Sequence, residues 1–380
     1  MSITVCVSAK TLHYPQGGGV LWEYLNWSQG LRSLGCKVIW MEGVKPGTSA
    51  EETRNLVAVL KQRLGRYGLA EDVAICSQTN DPLPAGAADG CLDLDAAAEA
   101  DLLLNMGYHL PSEIVARFRR SALVDVDPGL TQIWISEGQL NVAKHDLYFT
   151  TGETVGLPGS LVPKTEMEWH YTPPCVSLDW WKLCEPTKPD APFSTISQWY
   201  GCEWVKQGGE SYYNDKREGF RPFLDLPQRS PQTLELAICL GDDPQDEEDR
   251  ANLLQKGWRV RQAETVSETP WVYQEYIQQS RGEFSCVKPS CIRLQNAWMS
   301  DRTICYLASG RPAVVQHTGP SRFLPDDAGL FRFRNLDEAT KMLNTAATDY
   351  ERQCKLARAL VEEHFDAKKN VAKVLEKALS

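Results

Sequence analysis

The segment 281–331 constrains the fold more than any other part of the chain. It contains R-G-E-F-S-C-V-K and then N-A-W-M-S-D-R-T-I-C-Y-L-A-S-G-R-P-A-V-V-Q-H-T-G. Ser300 or Asp301 suits the N-cap of a helix that runs through Leu307 and stops at Ser309 and Gly310. Pro312 then hands over to a buried strand at 313–316. The N-terminus shows the same alternation. An apolar strand at 3–8 leads through His13, Pro15, Gly17, Gly18 and Gly19 into a helix over about 20–34, with Leu21, Tyr24, Leu25, Leu31 and Leu34 on one face. Gly35 closes that helix, and 37–41 returns as a strand. A helix between two apolar strands brings the chain back in the same direction, so the sheets are expected to be parallel.

Between these ends, further short strands are expected at 73–76, 102–105, 123–126 and 147–150, with helices over 51–68 and 111–120. From 152 to 192 the pattern becomes proline-rich and irregular, and Pro186, Pro189 and Pro192 mark a domain boundary. A second α/β set follows: strands at 193–198, 234–240 and 259–261, a long helix-like stretch at 214–229, and a helix at 272–279. The 380 residues suffice for two domains, and 42% hydrophobic with 24% charged content is an ordinary globular balance. The net charge of −10 argues against nucleic acid as a partner. No apolar run reaches the roughly 20 residues that span a bilayer, and the N-terminus enters a strand without a signal-peptide pattern, which predicts a cytoplasmic protein. The 12 cysteines are scattered. Cys286 and Cys291 form the nearest pair without a second one to complete a zinc motif, so reduced thiols and no metal are expected. The 12 tryptophans suggest packed cores and carbohydrate platforms.

The helix–A-S-G-R-P–strand arrangement resembles the nucleotide-binding half of GT-B glycosyltransferases. The stretch G-G-G-V-L-W-E-Y-L-N-W-S-Q-G-L-R-S-L-G-C-K-V-I-W resembles the first glycine-rich loop and helix of the same superfamily, which includes bacterial family 1 and family 4 enzymes. The resemblance implies two Rossmann-like, doubly wound α/β domains facing each other across a cleft. The first is expected over 1–185 on the acceptor side and the second over 186–360 as the nucleotide-sugar domain. A C-terminal helix over 361–380 would cross back to the first. The implied partners are a nucleotide-diphosphate sugar, with UDP or dTDP as the carrier, and a small-molecule or glycan acceptor. No cofactor is implied, and the protein would be a monomer or homodimer.

A held leaving group, an activated hydroxyl and stabilised charge are what glycosyl transfer needs. Arg302, Ser300, Asp301, Lys288 and Lys216 are the candidates for the diphosphate, because helix-start amides and cations favour anions. Glu283, His317 and Gly319 are further candidates on the donor side. Gly17, Gly18 and Gly19 would let backbone approach a ligand across the cleft. Retaining members carry an E-x7-E pattern whose positions fall here on Ala297 and Cys305, so inversion is favoured. His13, on the rim after the first strand, is the expected base, with Asp125 or Asp127 orienting it; His109 ranks second. Thr150, Thr151 and Glu153 form a similar strand-end loop. His145, His170 and His364 are expected to be structural or on the surface. The alternatives are a sugar-nucleotide epimerase or hydrolase on the same scaffold, and a non-catalytic subunit that binds nucleotide or glycan.

Overall fold

The computed structural model describes residues 3–79, 81–108, 110–201 and 204–380; His109 lies outside them. The first domain contributes β1 (Thr4–Ala9), β2 (Lys37–Val44), β3 (Val73–Ser77), β4 (Leu102–Asn105), β5 (Ser121–Asp125), β6 (Leu147–Thr150) and β7 (Trp169–Tyr171). The second contributes β8 (Phe193–Gln198), a hairpin of β9 (Trp204–Gln207) and β10 (Glu210–Tyr213), then β11 (Leu234–Cys239), β12 (Arg259–Gln262), β13 (Gly282–Ser285), β14 (Ala313–Gln316), β15 (Asp327–Ala328) and β16 (Leu330–Phe333).

Among the described residues the sheet orders are β3-β2-β1-β4-β5-β6-β7 and β12-β11-β8-β13-β14-β16-β15. Every pairing is parallel except β15 with β16. Both sheets therefore grow outward from their first strand in both directions, the doubly wound order expected. The switch points lie between β1 and β4 and between β8 and β13, where diverging loops open a crevice at the carboxyl ends of the strands. The inner strands read as continuous apolar runs because helices cover both faces: β1 is T-V-C-V-S-A, and Val5, Cys6 and Val7 are fully buried.

Three stretches fold differently from their sequence pattern. The helix expected over 111–120 is a single turn, Ser112–Val115. The helix-like region 214–229 breaks into Lys216–Phe220, a 3-10 turn Arg221–Phe223 and Leu226–Arg229, because Pro222 and Pro227 each lack an N–H and restart the helix. The proline-rich crossing contributes β7 to the edge of the first sheet.

The domains share a continuous apolar core. It runs from Val5 and Trp22 through Trp181 and Tyr273 to Tyr306 and Val361. Trp22 is buried against Tyr67 and Trp181, and its indole N–H donates to the Pro270 carbonyl across 2.7 Å. The helix Ala367–Leu379 lies along Gly18–Ser33, where a Cβ on Gly30 would stand 3.0 Å from the Ala367 methyl and 3.1 Å from Val371. No helix of the described residues is long and apolar enough to cross a membrane.

Candidate functional site

The carboxyl ends of β1 and β8 face each other across a cleft of about 350 Å³. The first-domain wall begins with a loop held by a buried carboxylate. Glu42 accepts hydrogen bonds from the N–H groups of Thr11 and Leu12, the Thr11 hydroxyl and the Trp40 indole. Beyond that anchor, Tyr14, Gly17, Gly19 and Glu23 line the cleft.

The three glycines do different work. A Cβ on Gly17 would meet the Tyr14 ring at 2.2 Å, and one on Gly19 would meet the Tyr273 ring at 2.7 Å. At Gly18 it would lie 2.3 Å from the Thr269 carbonyl oxygen. Gly18 is thus where the first domain touches the backbone of the second, while Gly17 and Gly19 line the cleft with the Tyr14 and Tyr273 rings closed over them.

Ser197, Gln198, Lys216, Tyr273, Lys288, Asp301 and Arg302 form the second-domain wall. Helix Asp301–Ala308 starts where expected, and the Ser300 hydroxyl caps it by accepting from the Arg302 N–H. Arg302 reaches back to the sheet. Its Nε donates to Glu283 at 2.8 Å, Nη1 to the Ile196 carbonyl at 3.0 Å and Nη2 to the Ser285 hydroxyl at 2.8 Å. Glu283 is fully buried, and its second oxygen has no hydrogen-bond partner. The nearby anion drives the Arg302 pKa upward against the cost of its burial. A guanidinium carries five N–H groups, and these three bonds engage three of them.

Lys216 is buried beside this group and donates to the Cys286 carbonyl. Burial first, and then the Arg302 charge, push its pKa down to about 7. Lys288 completes a triangle of cations on this wall.

Three carboxylates that the spacing of the sequence did not join gather beside them, with Asp301 on the same wall and Glu23 on the facing one. Glu23 and Asp301 both line the cleft and a smaller pocket behind it, and Asp127 opens to solvent nearby. Desolvation raises the Glu23 pKa well above the ordinary carboxylate range, with Asp301 and Asp127 adding to the effect. Glu23 sits in the first turns of the helix that follows the glycines. Its only sequence signal is an acidic residue early in that helix.

Other candidates sit elsewhere. His13 lies outside the cleft lining, and its Nε2 accepts the Lys45 N–H at 3.0 Å. Burial and the Lys45 charge lower its pKa. Asp125 does not reach it. That carboxylate accepts from Thr131, Gln132 and Thr150, and burial lifts its pKa to about 6. The expected His13–Asp125 pair is therefore corrected: Asp125 anchors a loop, and His13 caps the end of β2. His317 accepts the Gly319 N–H at 3.1 Å, away from the cleft lining. Gly319 has φ +131°, and a Cβ there would stand 2.5 Å from the Gln295 carbonyl oxygen, so it serves backbone packing. Glu153 links the domains by accepting from Ser321 and Arg322. Cys305 is buried with Asn26 3.9 Å from its sulfur.

Two doubly wound domains with facing switch points, a helix start on the second-domain wall of the cleft and a tail helix across the first domain define the GT-B fold. No protein-family model matches the sequence, and no curated protein matches it. Solved structures do match over the whole length. An alpha-glucosyltransferase in complex with UDP superposes with a TM-score of 0.62 at 10% identity, covering 100% of both chains. The same kind of enzyme with UDP-glucose and DNA containing an abasic site gives 0.61 at 10% identity and the same coverage. An E. coli trehalose-6-phosphate structure bound with UDP-2-fluoro glucose gives 0.56 at 12% identity, covering 99% of each chain. The alpha-glucosyltransferase structures overturn the exclusion of nucleic acid drawn from net charge, because proteins of this fold are held with DNA bearing an abasic site or an A:G mismatch.

Proposed function

We propose that this chain is a glycosyltransferase that draws its sugar from a UDP donor, dTDP-sugars being the other donor class. The observation that carries this reading is the triangle of Lys216, Lys288 and Arg302 beside the capped start of helix Asp301–Ala308, at the switch point of the second sheet. Diphosphate brings two or more negative charges, and preorganised cations in a partly dry cleft stabilise the charge that grows as it leaves. That UDP complexes recur among structures of the same fold supports the choice of nucleotide.

For the chemistry we infer inversion with Glu23 as general base. The acceptor oxygen bonds to the anomeric carbon as that carbon's bond to the β-phosphate oxygen breaks. The acceptor proton passes to Glu23, and the electron pair leaves on UDP. Glu23 lines the cleft where His13 does not, so its carboxylate is the group placed to take the proton.

UDP, dTDP, GDP and ADP compared by thermal shift, together with UDP release from UDP-glucose, test the reading. UDP is expected to raise the melting temperature most, since a ligand bound only by the folded state stabilises it. No shift with saturating UDP would sink the donor assignment. UDP binding without turnover across acceptors would make the chain a binding subunit.

A further inference from the structure

The hairpin of β9 and β10 is an excursion between Gly201 and Lys216, both of which line the cleft. Its turn is Gly208 and Gly209, with φ of 58° and 84°, the positive values that a two-residue hairpin of this twist requires. Strand alternation separates its faces. Val205 turns inward among Leu130, Ile133 and Leu294, and the Arg293 guanidinium lies 4.0 Å over the Tyr212 ring. Trp204 and Tyr213 turn outward. They oppose each other in register, with ring centroids 4.1 Å apart and planes 36° apart, yet they are 50% and 52% exposed.

This pair sits at the stem of the hairpin. Tyr213 precedes the cleft residue Lys216 by three positions, a reach of about 10 Å in extended chain. At the other end, the Gly208 N–H donates to Glu137 of the first domain at 3.2 Å. The platform is therefore fixed with respect to both walls of the cleft.

We infer that Trp204 and Tyr213 form a stacking platform for a sugar ring of the acceptor, which makes the acceptor a glycan; the inference rests on the glycosyltransferase reading. Two rings offer far less than the roughly 800 Å² per side of a stable protein interface, so the surface suits a small ligand. One face of a pyranose ring presents C–H groups that match an aromatic face, while its hydroxyls stay in water. A ring held about 10 Å from the cleft would orient the neighbouring unit toward the donor.

The test is calorimetric titration of wild type, Trp204→Ala, Trp204→Phe and Tyr213→Ala with maltopentaose, cellopentaose and chitopentaose, each with and without UDP. At least one oligosaccharide should bind wild type. Trp204→Ala and Tyr213→Ala should weaken it about tenfold, and Trp204→Phe should restore most of the affinity. Equal affinity in wild type and Trp204→Ala overturns the platform, as does binding of none of the three sugars. A single-stranded oligonucleotide bound in a Trp204-dependent way, with no sugar bound, also overturns it by assigning the rings to nucleobases. UDP titration of the same samples reads the donor assignment separately. Wild type that binds sugar through Trp204 but not UDP would sink the donor reading alone.

Discussion

The side-chain amide of Asn296 donates to the carbonyl of Pro128 across 2.7 Å, so a second-domain loop is tied to the residue beside Asp127. The same loop carries the left-handed residues Gln295 (φ 47°) and Ala297 (φ 53°). Each costs about 1–3 kcal/mol and is held in place by its surroundings. Thr154 of the first domain supplies two more hydrogen bonds, to the carbonyls of Gln295 and Asn296. Five residues further on, helix Asp301–Ala308 begins. Asn296 thereby sets the distance between the Asp127 side of the cleft and the start of that helix.

Asn296→Ala should cost about 1–3 kcal/mol, because it leaves the buried Pro128 carbonyl unpaired. Urea denaturation reads the loss. UDP-glucose turnover should fall more than UDP affinity, since the donor wall itself stays intact. A variant whose UDP affinity falls as far as its turnover would count against an interdomain role.

Removing one partner of the buried Arg302–Glu283 pair strands the other charge. Glu283→Ala should therefore destabilise the fold by about 3–5 kcal/mol, measurable as a shift in the denaturation midpoint. Arg302→Lys keeps the charge but loses the fork that bonds Glu283, Ile196 and Ser285 together. UDP affinity should drop about tenfold in that variant, and unchanged affinity would remove Arg302 from the donor site.

Lys216 gives the donor site a pH dependence with a definite sign. Its pKa in the folded protein is lowered to about 7, so the free protein loses this proton as pH rises through that value. A diphosphate prefers the protonated amine. UDP affinity should therefore fall above pH 7, by up to about tenfold per unit for one linked proton. Lys216→Met should flatten the profile. For stability the sign is opposite: between pH 7 and the ordinary lysine pKa the unfolded chain holds the proton and the folded one does not, so this group's contribution rises with pH.

If Glu23 is the base, Glu23→Gln should lower turnover at least about a hundredfold while UDP still binds. His13→Ala should leave turnover within a few-fold of wild type. The reverse result would restore the histidine to the mechanism.

Gly18→Ala places a methyl 2.3 Å from the Thr269 carbonyl oxygen. The backbone there cannot yield as a flexible side chain would, so the domains must shift. A cost of about 1–3 kcal/mol is expected, together with weaker UDP binding, which calorimetry would register.

Local signals carried most of the fold. The caps at Ser300 and Gly310, the apolar strand 313–316 and the glycines before the first helix are short-range features, and the structure follows them closely. The place of Arg302 on the cleft wall was legible for the same reason, since it stands beside a helix start. The partners of the histidine and of Asp125 were not. Where an imidazole points depends on residues distant in sequence, and His13 is claimed by the Lys45 N–H, which only β2 brings near. Asp125 was lost to Thr131, Gln132 and Thr150 in the same way. The β9–β10 hairpin could have been read: Gly208 and Gly209 between W-V-K-Q and E-S-Y-Y are a two-residue turn signal, masked by the helix-like pattern that follows.

The helix Ala367–Leu379 lies on Gly18–Ser33, so two helices from opposite ends of the two-domain unit are packing partners. During translation the first domain must wait, with the Gly30 face of its helix uncovered, until the second domain has emerged. Contacts this far apart in sequence close slowly. Refolding should therefore end with a late phase in which the tail docks, and that phase joins the two halves of the cleft.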